Sequence, residues 1–188
     1  RIVVRAPTLE DRTAIAPYPR ALSHDITLAD GTTLRSRPLR PDDAPALLDL
    51  GRRTSTHDIR LRFHGVVRVD DALGAARLSQ LDYDREMAFG AFDQARTLAG
   101  VARLHFDPQI ETGEFAVLVR TDMQQRGLGR ALLQDVLRYA RDRGAKHIYG
   151  DILSENTAML ALARSLGAEL RSHDKGGHQA TFALADAS

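Results

Sequence analysis

The residues best suited to chemistry lie in one stretch, Glu114-Phe-Ala-Val-Leu-Val-Arg-Thr-Asp-Met-Gln-Gln-Arg-Gly-Leu-Gly-Arg130, where an apolar run meets a glycine turn and then a helix. From Leu128 the apolar positions fall at Leu128, Ala131, Leu132, Val136, Leu137 and Ala140, a helical period that closes at Gly144 with Arg138, Arg141 and Arg143 near its end. Gly127 and Gly129 therefore sit where the helix begins. The first N–H groups of a helix have no partner within it, and the dipole is positive at that end. The backbone of Gln125 to Arg130 is thus expected to cradle an anion such as a pyrophosphate. The plainer alternative is a tight strand-to-helix turn with no ligand.

Two nucleotide motifs are excluded by the residues themselves. A P-loop needs Lys and Ser/Thr directly after its last glycine, and neither follows Gly129. A dinucleotide fingerprint needs Gly or Ala where Leu132 stands.

The elements that must position this stretch follow in an α/β (α+β) order. Phe115 to Val119 has the length and apolarity of a central strand covered on both faces. Ile2 to Arg5 is a possible short strand, and the Pro-containing stretch to Leu22 is a linker, so residues 1–22 are assigned to the tail of an upstream domain and its linker, and 23–188 to one domain. Asp25 to Leu28 and Thr33 to Arg37 flank an Asp30-Gly31 hairpin signal. Helices are predicted from Pro41 to Gly51, Ser55 to Phe63 and Asp70 to Leu81. A meander follows, with strands Met87 to Phe92, Leu98 to Phe106 and Gly113 to Val119. After the long helix come a strand at His147 to Ile152, a helix at Thr157 to Leu166, and strands at Glu169 to His173 and Gln179 to Leu184.

Composition narrows the function classes. The 188 residues, 43% hydrophobic, suffice for one well-packed domain. There is no cysteine, which removes disulfides, thiolate metal sites and a cysteine nucleophile. No apolar run has the length of a membrane span, no stretch of this sequence reads as a signal peptide, and the expected localisation is cytoplasmic. A net charge of +1 offers no field for nucleic acid. The histidines give no trusted metal spacing: His57 and His64 could share a helix face, His173 and His178 flank a glycine turn, and surface positions are expected; His105 is expected as a satisfied core residue.

The segment Gln124-Gln-Arg-Gly-Leu-Gly129 resembles the pyrophosphate loop of the GNAT superfamily of N-acetyltransferases. The element order and Ser154-Glu-Asn-Thr-Ala-Met-Leu-Ala-Leu-Ala-Arg-Ser-Leu-Gly167 are similar to that superfamily as well. The resemblance implies a GNAT fold with a mixed, mostly antiparallel sheet flanked by helices, and acetyl-CoA as cosubstrate with no metal. Asn156 would contact the pantetheine or acyl end, while its other use is as a helix cap. Many relatives carry a tyrosine where this chain has Ala163, so water or another group protonates the thiolate, or it leaves unassisted.

Leu81-Asp-Tyr-Asp-Arg-Glu-Met-Ala-Phe89, Gly100-Val-Ala-Arg-Leu-His105 and Glu114-Phe-Ala-Val-Leu-Val-Arg120 narrow the resemblance to bacterial protein lysine acetyltransferases, in which such a domain follows one similar to ADP-forming acyl-CoA synthetases. Its implied partners are acyl-CoA synthetases of the AMP-forming kind, as protein substrates. A lysine ammonium must lose a proton before attacking a thioester. Glu114 corresponds to the glutamate that takes it, and flanked by Phe115 and Ala116 its pKa would be raised by desolvation. Glu111 is the runner-up. The backbone of Val117, Leu118 and Val119 would pair with the pantetheine amides. Gln124, Gln125, Arg126, Gly127, Leu128, Gly129 and Arg130 would hold the pyrophosphate, and Asp84 and Arg85 would meet the protein substrate. Two other readings stay open: a small-amine acetyltransferase, and a non-catalytic acyl-CoA sensor.

Overall fold

A computed structural model describes residues 17–62, 71–173 and 176–184. The chain order is β1 (His24–Thr27), β2 (Thr33–Pro38), α1 (Ala44–Arg52), α2 (Thr56–Arg62), α3 (Ala72–Ser79), β3 (Glu86–Phe92), β4 (Leu98–Phe106) and β5 (Thr112–Val119). Then follow α4 (Leu128–Asp142), β6 (His147–Leu153), α5 (Thr157–Ser165), β7 (Glu169–His173) and β8 (Gly177–Ala183). The strands form one eight-stranded sheet in the order β1-β2-β3-β4-β5-β6-β8-β7. Every neighbouring pair is antiparallel except β5 and β6.

Local chemistry accounts for these elements. The β1–β2 turn closes with Gly31 at φ +83, a conformation glycine adopts without strain. Helix α4 buries Leu128, Leu132, Leu133, Val136 and Ala140 along one stripe, and Gly144 ends it at φ +79. That stripe packs on the sheet face bearing Met87, Phe89, Ala102, Leu104 and Phe115. The opposite face carries Ala88, Phe92, Val101 and Leu118 under α1 and α3. Burying both faces excludes water from the centre of the sheet, the main favourable contribution to folding.

A polar tie crosses this core. Asp135 of α4, 3% exposed, accepts from Ser36 Oγ at 2.7 Å and lies 3.1 Å from His24 Nε2. Burial raises its carboxyl pKa, and Ser36, His24 and Arg138 oppose the shift only in part.

Ile2 to Arg5 and His64 lie outside the described residues. On the segment assigned to the linker, the Tyr18 hydroxyl donates to the Pro38 carbonyl at 2.9 Å, and its ring meets Tyr83 edge-on.

The parallel ladder is short. Thr112, Gly113 and Glu114 pair with His147, Ile148 and Tyr149, and no described pair continues it. At Gly150 the strands are still so close that a Cβ there would lie 2.8 Å from the Phe115 carbonyl oxygen. Beyond that point β5 and β6 separate, and the backbone edge of Phe115 to Val119 that does not face β4 is left open.

Candidate functional site

The open edge of β5 forms one wall of a cavity of about 340 Å³. Val117, Val119, Gln124, Gln125 and Gly129 line one side, and Asn156, Met159 and Leu162 from the start of α5 line the other. Asp58 and Leu61 of α2 close it. A narrow extension reaches Phe115, Ala116 and Asp151 between the separating strands. A wider hollow of about 670 Å³ around Arg37, Arg40 and Phe92 shares no lining residue with the glycine turn. The smaller cavity is the one with directed backbone donors.

Those donors arise from an alternation of backbone conformation. Gln125 is at φ +58 and Gly127 at φ +89, left-handed positions that turn the chain into α4. Gly127 is the N-cap, and no side chain caps the helix. The first helical bond of this segment is donated by Ala131 to the Gly127 carbonyl, so the N–H groups of Leu128, Gly129 and Arg130 are free of intrahelical partners. Positive φ restricts Gly127 to glycine in practice. Gly129 differs: a Cβ there would meet Leu162 at 3.6 Å and Val119 at 3.7 Å, ordinary contacts. Its glycine leaves room on the cavity side.

The expected cradle residues divide by role. Leu128 is buried in the core and offers only its N–H. Gln124 Nε2 donates to the Val119 carbonyl at 3.3 Å. Arg126 points away from the cavity: its Nε donates to Asp30 at 2.8 Å and its Nη2 to Thr32 at 3.0 Å, clamping the turn to the β1–β2 hairpin. The Arg126 guanidinium, joined by the Thr32 N–H, holds the Asp30 carboxyl down to about 2. Arg130 donates to Ser165 Oγ at 2.6 Å. Both arginines are thus committed to protein partners.

The side-chain oxygen of Asn156 accepts from the Met159 N–H at 3.1 Å, capping α5. The same residue lines the cavity, which leaves its amide N–H groups for a ligand. The spacing predicts the helix that becomes α2, but not its place at the cavity. The Thr121 hydroxyl accepts from the Ser55 N–H at 2.9 Å and donates to Asp58 at 2.7 Å, and Arg60 pairs with Glu155 at 2.7 Å across the mouth. Burial raises the Asp58 carboxyl, but hydrogen bonds from Thr121, Ser55 and Gln124 outweigh it and hold the pKa low. No local pattern announces these contacts. Met159 and Leu162, spaced three apart after a capping asparagine, carried a signal that was legible.

Several expectations are corrected. The strand is covered on both faces at Phe115 and Leu118, but it is not central along its whole length: Ala116, Val117 and Val119 are half-buried, because the cavity takes the place of a neighbouring strand along one edge. Glu114 is exposed, so Phe115 and Ala116 do not enclose it: Phe115 points to the other face of the strand, and Ala116, on the same face, is too small to cover it. His105 is 62% exposed and bonds Glu86 at 3.0 Å instead of packing in the core. Glu111 is occupied by Lys146 at 2.6 Å.

Glu114 joins a row of side chains on one sheet face. Glu86 pairs across the strands with His105, His105 with Glu114, and Glu114 with Tyr149. Burial raises the Tyr149 phenol pKa, and the charges of Glu114 and Asp151 act in the same direction. Asp84 and Arg85 precede β3 on exposed positions beside this row. Their neighbour Tyr83 anchors the segment by donating to the Leu39 carbonyl at 2.6 Å. Among the described residues no group of His, Asp and Glu is arranged to hold a metal.

Comparison with known proteins agrees with this arrangement. The model of the acetyltransferase (GNAT) family matches residues 54–168. An acetyltransferase of Pseudomonas aeruginosa is 28% identical over 144 residues, covering 75% of this chain and 77% of that protein. The L-amino acid N-acyltransferase MnaT of Escherichia coli is 37% identical over 95 residues, covering 41% of this chain and 55% of MnaT. The crystal structure of the GNAT domain of S. lividans PAT superposes with a TM-score of 0.81 at 26% identity, covering 89% of this chain and 99% of that one.

Proposed function

We propose, from the premise that this chain belongs to the acetyltransferase (GNAT) family, that it is an acetyl-CoA-dependent protein lysine N-acetyltransferase whose targets include AMP-forming acyl-CoA synthetases. The observation that carries the proposal is the position of Glu114. It stands exposed on β5, directly before Phe115 and Ala116, which line the cavity's extension between the separating strands. A carboxylate so placed is open to a lysine presented on a folded surface. The likeness to the GNAT domain of S. lividans PAT over most of the chain supports the same choice.

The residues present fit acetyl-CoA. The N–H groups of Leu128 to Arg130 hold the pyrophosphate, in the space that Gly129 leaves beside Val119 and Leu162. The open edge of Val117, Leu118 and Val119 pairs with the pantetheine amides as an added strand would. One N–H of that edge stabilises the thioester oxygen as negative charge develops on it. Asn156 directs its amide N–H groups at the acyl end. Glu114 takes the ammonium proton, and the free amine attacks the thioester carbon directly; no cysteine is available for an acyl-enzyme. Ala163, 0% exposed, supplies no acid to the departing thiolate.

The match to MnaT favours a second reading, acetylation of a small amine. Incubation with acetyl-CoA and a purified AMP-forming acyl-CoA synthetase, with modified lysines located by mass spectrometry, is expected to give one dominant site. Faster turnover of L-amino acids or spermidine than of any protein would favour the small-molecule reading. Acetyl-CoA binding without transfer to any amine would leave a sensor.

A further inference from the structure

Each turnover must export a proton. A lysine ammonium enters with three N–H protons and leaves as an amide with one; the thiol of coenzyme A keeps at most one of the two lost, so the other must pass from Glu114 to water. The row across β3, β4 and β5 supplies the exit. His105 lies directly opposite Glu114 in the antiparallel register, where facing Cβ atoms are about 4.5–5.5 Å apart. Its Nδ1 is 3.0 Å from Glu86 Oε1. A carboxylate only accepts, so Nδ1 carries the proton, and Nε2 of the neutral ring is left with a lone pair. Glu86 is itself steadied by Arg103 at 3.9 Å, whose guanidinium also donates to the Leu78 carbonyl. At 62% exposed, the His105 ring is in contact with solvent.

We propose that Glu86 and His105 form a carboxylate–imidazole pair that relays the substrate proton from Glu114 to water. Glu114 takes the proton from the ammonium; Nε2 of His105 accepts it from the Glu114 carboxyl and passes it to solvent, and Glu114 returns to its charged form. Glu86 and His105 are positioning residues, since neither needs to touch the substrate. The charged and titratable groups facing His105 are Glu86 on β3, Glu114 on β5 and Arg103 on its own strand, with Tyr149 beyond Glu114 on β6. This inference rests on the reading of Glu114 as the base.

The test is steady-state kinetics of His105→Gln, His105→Ala, Glu86→Gln and Glu114→Gln with acetyl-CoA and whichever acceptor turns over among an acyl-CoA synthetase, a lysine peptide and spermidine. His105→Gln is expected to lower kcat by about tenfold, short of the roughly 10²–10⁴ expected from loss of a base, with KM for acetyl-CoA unchanged. The lost rate should return with rising buffer concentration, and imidazole should rescue His105→Ala; the wild type should respond to neither. Glu86→Gln should behave as a weaker His105→Gln. A normal or unrescuable His105→Gln, with Glu114→Gln inactive, overturns the relay and leaves the base standing. Full activity of Glu114→Gln, or no turnover of any acceptor, overturns both.

Discussion

Glu114 and Tyr149 face each other as the last pair of the parallel ladder between β5 and β6. On the cavity side of that pair, backbone groups are open to an extended cosubstrate; on the other side, the acidic row is open to an acceptor. A single ladder ending therefore separates two binding regions and places the proposed base between them.

Gly129→Val is expected to weaken acetyl-CoA binding at least about tenfold, or ~1.4 kcal/mol. The backbone there is helical and the contacts awaiting a side chain are ordinary, so the fold should persist. Gly127→Asp should lose binding and stability together, because a side chain at φ +89 is strained. Calorimetric titration beside a thermal melt separates these outcomes, and unchanged affinity in folded Gly129→Val would remove the cradle.

Glu114→Gln should keep acetyl-CoA affinity and lose roughly 10²–10⁴ in kcat. Part of the rate should return as pH rises and unprotonated amine becomes available without help. Full turnover in this variant, with an inactive Glu111→Gln, would transfer the role to Glu111 despite its pairing with Lys146.

The two roles of Asn156 are separable. Asn156→Asp retains the oxygen that accepts from Met159, so the melting temperature should hold, while acetyl-CoA affinity should fall with the loss of the amide N–H groups. Asn156→Ala should also destabilise the protein by about 1 kcal/mol through loss of the cap. Wild-type affinity in the aspartate variant would confine Asn156 to capping.

Tyr83, and the main-chain carbonyls of Tyr83 and Asp84 held by Arg143, fasten the segment before β3. The Asp84 and Arg85 side chains are spare. The double variant Asp84→Ala, Arg85→Ala should change stability by less than about 0.5 kcal/mol, yet erase the preference for an intact synthetase over its lysine peptide in kcat/KM. Loss of stability with the preference intact would assign the segment to packing.

Asp135 predicts a pH dependence. Its pKa is raised by burial, so the folded protein holds a proton that the unfolded chain releases from about pH 4 upward. The stability it contributes is therefore present at low pH and is lost as pH rises from the ordinary aspartate value through the raised one. Urea midpoints measured against pH for wild type and Asp135→Asn should converge toward low pH and separate above it, with the variant gaining relative to wild type as pH rises. Parallel curves would show that Asp135 ionises as it does in the unfolded chain.

The fold was legible wherever a signal was local. The period from Leu128 to Ala140 placed α4, the Asp30-Gly31 pair placed the hairpin, and the expected strand ends differ from β3, β4 and β5 by about one residue. His105 was misplaced for a physical reason. Alternation along β4 tells which side a residue takes but not how far the cover extends: Val101 is buried, while His105 on the same face is exposed.

Arg126 and Arg130 show the same limit within the site. A basic residue at a helix start is compatible with phosphate, but Asp30 and Ser165, which engage these two, are far away in the chain.

What the chain determined by itself is the cradle: glycine at a left-handed position followed at once by an amphipathic period, both consequences of neighbouring residues. What only the tertiary structure decided is the opening between β5 and β6 and the Glu86–His105–Glu114–Tyr149 row. Each arises from the register of strands separated in sequence, and register is set by packing of the whole sheet against its helices, which no local spacing encodes.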